Sequence, residues 1–214
     1  MKRVTTAAFA ATLLASAGAA AGDEDRITRT LDLEGFDSIE VSGVYDIDVR
    51  VGEEFSVVLK GRVEELDRTL VTVSGGVLDL SQDERKSWRR KRRGVDAYIT
   101  LPSLNGIVVS GVVDGEIDGV DADDFEINIS GVGDIALAGK CQSLDAQVSG
   151  VGDLDAEGLE CSVVDIRLSG VGDASVFASA EVDARVSGMG DIDVYGAPDR
   201  VSTSDSMFAK VTVH

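Results

Sequence analysis

The chain has 214 residues, with 39 acidic against 20 basic side chains, 24 glycines, two prolines and 5% aromatic residues. A formal net charge of −19 argues against nucleic acid as a partner, because nucleic acids are bound largely by neutralising their phosphates. So few large aromatic side chains argue against a fold built around one bulky centre, and the length suits one domain.

Residues 1–21 (MKRVTTAAFAATLLASAGAAA) combine a basic start at Lys2 and Arg3, an apolar stretch and a small-residue run ending at Ala21. This is the layout of a cleavable secretory signal; the apolar stretch is shorter than the ~20 residues that a spanning helix needs. No later segment is apolar enough to span a membrane, so the expected product is a soluble exported protein. Losing Lys2 and Arg3 with the signal leaves 18 basic residues against 39 acidic ones, a net charge of −21.

Residues 22–214 are expected to form a single domain, irregular over 22–101 and regular over 102–214. In the irregular part, IEVSGVYDIDVRVG alternates apolar and polar residues around a turn at Ser42, Gly43 and Asp46. FSVVLKG, a short helix at RVEELDRTL, LVTVSGGVLDLS and VDAYITLP follow. These read as longer, less regular strands that begin and cap a stack.

A basic loop over 84–94 interrupts them. It holds Arg85, Lys86, Arg89, Arg90, Lys91, Arg92 and Arg93 around Trp88, the single tryptophan of the chain. Cations clustered about an aromatic ring suit an anionic surface, the ring lying at the interface while the charges attract phosphates or acidic sugars. The alternatives are a solvated loop between two strands and a loop that docks on the acidic face of its own or a neighbouring chain.

From residue 102 onward one phrase recurs, as VVSGVVDGEI, INISGVGDIAL, AQVSGVGDLDA, IRLSGVGDASV and ARVSGMGDIDV. The opening serines, Ser110, Ser130, Ser149, Ser169 and Ser187, are 20, 19, 20 and 18 residues apart. In the last four copies the residues five, three and one before the serine are all apolar, and those between them are polar. This period of two marks strands with one buried face. Alternation resumes after the turn, as in Ile135/Leu137 and Leu154/Ala156, so each repeat is read as two short strands joined by S-G-x-G-D. One such unit cannot bury its apolar side alone, whereas stacked units form a continuous core. The fold class expected is all-β: a parallel β-helix, or β-solenoid, of 18–20-residue coils, with right-handed coiling as the expected hand. Antiparallel hairpins with a similar period would give a sandwich or barrel instead. At the end of the chain, RVSTSDSMFAKVTVH keeps the alternation and loses the glycines, as a terminal cap should.

Stacking brings like positions together. Cys141 and Cys161 each lie eight residues before a repeat serine, which places them on neighbouring coils at a spacing compatible with a disulfide in an exported protein. Asp114, Asp134, Asp153, Asp173 and Asp191 should form a column of corner carboxylates, and Asp134, Asp153, Asp173 and Asp191 are candidate ligands for Ca²⁺, a hard cation that would relieve their repulsion. Glycine–aspartate calcium repeats, however, have a nine-residue period, and the competing reading is a set of solvated turn formers. A second column, Asn128, Gln147, Arg167 and Arg185, flanked by Glu126, Asp145, Asp165 and Asp183, offers either a saccharide-binding face or surface ion pairs. Catalysis is poorly supported: the one histidine, His214, is the last residue, which disfavours a histidine-based triad or a multi-histidine metal site.

The signal, the FDSIEVSG start, the passage from the basic loop to ITLPSL, the repeated SGVGDI and the closing GDIDVYGAPDRV together resemble the putative autotransporter adhesin head GIN domain family. The resemblance spans about residues 27–214. It implies a right-handed β-helical fold in a bacterial exported or envelope protein, and it brings no catalytic residues. The expected function is therefore a non-enzymatic binding or structural module of the envelope, in the periplasm or at the cell surface. Its expected partner is an anionic envelope component or a polysaccharide, with no cofactor apart from the Ca²⁺ considered above. The alternative is a polysaccharide-processing enzyme that uses outer-face carboxylates.

Overall fold

The computed structural model describes residues 26–83, 94–205, 207 and 209–214. The signal at 1–21 and the basic residues from Arg85 to Arg93 lie outside the described residues. Among the described residues fifteen strands form one open sheet system, with one short helix. In chain order they are β1 (Arg26–Leu31), β2 (Ser38–Ser42), β3 (Val44–Val51), β4 (Ser56–Arg62), α1 (Val63–Leu66), β5 (Thr69–Ser74), β6 (Val77–Gln82), β7 (Val95–Leu101), β8 (Gly106–Val109), β9 (Val112–Ile129), β10 (Ile135–Val148), β11 (Leu154–Leu168), β12 (Ala174–Val186), β13 (Ile192–Tyr195), β14 (Arg200–Ser204) and β15 (Val211–Val213).

Successive repeats pair in parallel, so the hairpin alternative does not describe them. Ile135 lies between Gly115 and Leu154, Gln147 between Asn128 and Arg167, and Ala174 between Leu154 and Ile192. The turns pair as well, through bridges Val112–Val132, Val132–Val151, Val151–Val171 and Val171–Met189. Every backbone level therefore meets its counterpart one repeat away. The inward positions, from Phe125, Ile127 and Ile129 in β9 to Ile192 and Val194 in β13, are all buried in one continuous core.

Two expectations need correction. Each repeat is one continuous strand of 13 to 18 residues, not two short ones. Shifts of register, such as that between Ala136 and Gly139, absorb the bend without ending the pairing. The strands before the repeats are consequently the shorter ones: β2 to β7 have 5 to 8 residues. They lack the bulged middle that lets a strand turn and continue.

The first turn joins the same column despite its distance in sequence. β2 pairs with β8 and β3 with β9, which sets Ile39 beside Ile107 and Asp46 beside Asp114. On the other side β2 pairs with β6 and β3 with β7, in parallel. Antiparallel strands close this end, β4 against β7, β1 against β4 and β5 against β6. Helix α1 spans four residues, and Leu66 enters the core beneath it.

Candidate functional site

Stacking converts the repeated turn into parallel columns of serine, glycine, valine and aspartate. The serine amides continue the ladder, as in Ser130 N donating to Val109 O at 2.8 Å. The glycine after each serine sits where a Cβ cannot: one built on Gly150 would lie 1.9 Å from Gly131 O, and one on Gly131 would lie 2.0 Å from Gly111 O.

The aspartates carry a structural duty that the sequence reading did not assign. Asp134 N donates to Asp114 Oδ1 at 3.2 Å, Asp153 N to Asp134 Oδ1 at 2.9 Å, and Asp173 N to Asp153 Oδ1 at 2.7 Å. Asp191 N and Lys210 N continue the series on Asp173 and Asp191, each at 2.8 Å. From Asp114 to Asp191 each exposed corner carboxylate thus accepts an amide hydrogen bond from the next level. At the first turn, burial and the neighbouring Asp96 and Asp114 raise the pKa of Asp46, partly opposed by Arg26. Among the described residues no group of three or more His, Cys, Asp or Glu side chains is arranged to hold a metal ion.

Between the serine and aspartate columns runs an apolar one, Val44, Val112, Val132, Val151, Val171 and Met189. From Val112 to Met189 these side chains are 44–57% exposed. With the adjoining Ser-Gly pairs and Gln82 they line an open groove of about 1090 Å³ along the whole row of turns. The signal was present in the sequence: the third position of S-G-V-G-D is apolar in every copy, although the turn around it is polar.

The outer polar column forms as expected, with Gln147 in register with Asn128 and Arg167, and Arg167 with Arg185. It is laced with ion pairs. Arg167 Nη2 lies 2.6 Å from Asp165 Oδ2 and its Nη1 3.5 Å from Asp145, while Arg185 bridges Asp165 and Asp183. Burial nevertheless raises the pKa of Asp165, outweighing the two arginines. A carboxyl with a raised folded-state pKa favours folding most when protonated, so its contribution declines as pH rises from the ordinary 3.8 through the folded value. On this face two arginines, Arg167 and Arg185, are shared among Asp145, Asp165 and Asp183.

Cys141 and Cys161 are register partners on β10 and β11, joined by a disulfide with Cα atoms 4.5 Å apart. His214 Nε2 lies 2.8 Å from Asp193 Oδ1, and its ring stacks on Tyr195 at 4.7 Å. The single histidine is thus bound to the last strands and adjoins neither cysteine. The basic residues Arg85, Lys86, Trp88, Arg89, Arg90, Lys91, Arg92 and Arg93 fall outside the described residues, but their flanks do not. Gln82 Nε2 reaches Val44 O at 3.4 Å, and Gly94 lies beside Asp46 and Val44. No described helix is long and apolar enough to cross a membrane.

These features define an all-β protein of parallel stacked repeats with an open apolar groove. The chain belongs to the family described as "Putative auto-transporter adhesin, head GIN domain", whose model matches residues 35–198. It is similar to the crystal structure of a putative adhesin from Bacteroides fragilis NCTC 9343, with 26% identity and a TM-score of 0.75, covering 90% of this chain and 98% of that one. Two further crystal structures share the fold, both of putative adhesins. One, from Parabacteroides merdae ATCC 43184, has 13% identity and a TM-score of 0.52; the other, from Parabacteroides distasonis ATCC 8503, has 16% and 0.53. Each covers 89% of this chain and 98% of its own. No curated protein matches the chain.

Proposed function

We propose that the protein is a non-enzymatic, exported binding module of the bacterial envelope, its repeats coiled as a right-handed β-helix, and that it engages anionic envelope components or acidic polysaccharides. Membership of an adhesin family supports the class of role. The observation that carries the ligand is one of charge. Seven of the 20 basic residues of a chain with net charge −19 fall between Arg85 and Arg93, around its single tryptophan. Elsewhere the surface repels anions, so this segment supplies the attraction, and Trp88 suits the boundary between polar headgroups and an apolar layer. A rigid stack held at every level by hydrogen bonds is a stable platform from which to present it.

The test is binding of the mature chain to outer-membrane vesicles and to lipopolysaccharide across a salt series, beside a variant with Arg89, Arg90, Lys91, Arg92 and Arg93 changed to Ser. Binding is expected to weaken as salt rises and to disappear in the variant. Equal binding by both proteins, or by neither, would remove the segment from this role.

A further inference from the structure

We infer that the valine groove is a docking site for an extended polypeptide segment of another protein, one that carries apolar side chains together with Lys or Arg. The serine, glycine and aspartate columns each have a structural reason to be what they are: hydroxyls that donate to a carbonyl of the neighbouring turn, close backbone approach and amide-accepting carboxylates. The apolar column does not. Val132, Val151 and Val171 are tied in through backbone bridges, which any residue could form, while their side chains are 44–51% exposed. Other outward positions of these strands carry polar side chains, Glu126, Asn128, Asp145 and Gln147 among them. Apolar side chains repeated in line along an otherwise polar wall favour a covering partner.

Charge identifies the partner. The aspartate column stands two residues beyond the apolar one in every turn, and among the described residues no Lys or Arg lines the groove. A second copy docking face to face would bring equally acidic columns into one interface, on a chain already at −19; like charges brought together oppose association. A basic, apolar segment meets both columns at once. Six turns at about 4.8 Å give a groove of roughly 24 Å, room for about seven extended residues at ~3.3 Å each.

Fluorescence anisotropy of a labelled nonapeptide of alternating Val and Lys, titrated with the mature chain, tests the inference. Saturable binding is expected, weakened at least tenfold by Val132→Asn with Val151→Asn. Asp134→Asn with Asp153→Asn should also weaken it and flatten its salt dependence, because Asn keeps the amide-accepting oxygen and loses the charge. Asp145→Asn, on the arginine face, should leave binding unchanged, and thermal melts confirm that each variant is folded. Binding insensitive to the valine changes would reduce the attraction to diffuse charge and overturn the inference. So would equal binding of a Val–Glu peptide. Binding only by the chain whose five basic residues from Arg89 to Arg93 are changed to Ser would make the protein's own segment the occupant, and dimerisation lost in the valine variant would make it a second copy. Either result replaces the partner proposed.

Discussion

Gly150 and Gly75 are both glycines at turns, and the structure asks different things of them. Gly75 has φ +63° with nothing within 4 Å of a built Cβ, so Gly75→Ala costs the left-handed backbone penalty alone, about 1 kcal/mol. At Gly150 the obstacle is the carbonyl of the turn below, 1.9 Å from the same atom. Relief requires two hydrogen-bonded turns to separate. Gly150→Ala should therefore destabilise by ~3 kcal/mol or more, and urea denaturation of the two variants side by side checks the order. The glycine was legible in the sequence as a turn former, but the contact that forbids a side chain there comes from a residue 19 positions away. The corner aspartates are similar: local chemistry made them turn residues and possible cation ligands, whereas the amides they accept belong to neighbouring repeats.

At the scale of the element, the alternation in each repeat marked its buried face correctly, while strand length was misread. Gly139 has φ +141°, a backbone conformation that favours glycine. Within the sheet it is where β10 shifts register against both neighbours and continues. The disulfide also belongs to this scale. Cys141 and Cys161 join β10 and β11, two strands already paired on both sides of the bond, and close a loop with a sequence separation of 20. A loop of this length limits the unfolded chain by ~3 kcal/mol. Replacing both cysteines by Ser should thus lower Tm by about 6–12 °C for a domain of this size. Melting with and without reductant measures it: the wild-type chain should lose stability on reduction and the double variant should not respond.

For the whole molecule the governing quantity is charge arranged in lines. Carboxylates repeated at every level of the stack repel along its axis, and mobile ions relieve the repulsion as the Debye length falls from ~30 Å at 0.01 M to ~8 Å at 0.15 M salt. Tm should rise over this interval. Because each corner carboxylate already accepts an amide hydrogen bond, CaCl₂ should give the same Tm as NaCl at matched ionic strength. A calcium-specific increase, reversed by a chelator, would reveal a cation site on Asp134, Asp153, Asp173 and Asp191.

By itself the sequence determined the repeat, the buried face of each strand, the alignment of the two cysteines and the acidic character of the surface. All of these follow from local periodicity and from counting, and a fixed period of 18–20 residues carries any local feature into a column. Only the tertiary structure decided what those columns touch. It joined the Ser42 turn to the Ser110 turn across the intervening strands, ran the half-repeats together into single strands, and turned an apolar letter inside a polar phrase into a continuous groove. Each of these depends on a neighbour in space that lies a full repeat or more away in the chain, and such a contact exists only once the stack has formed.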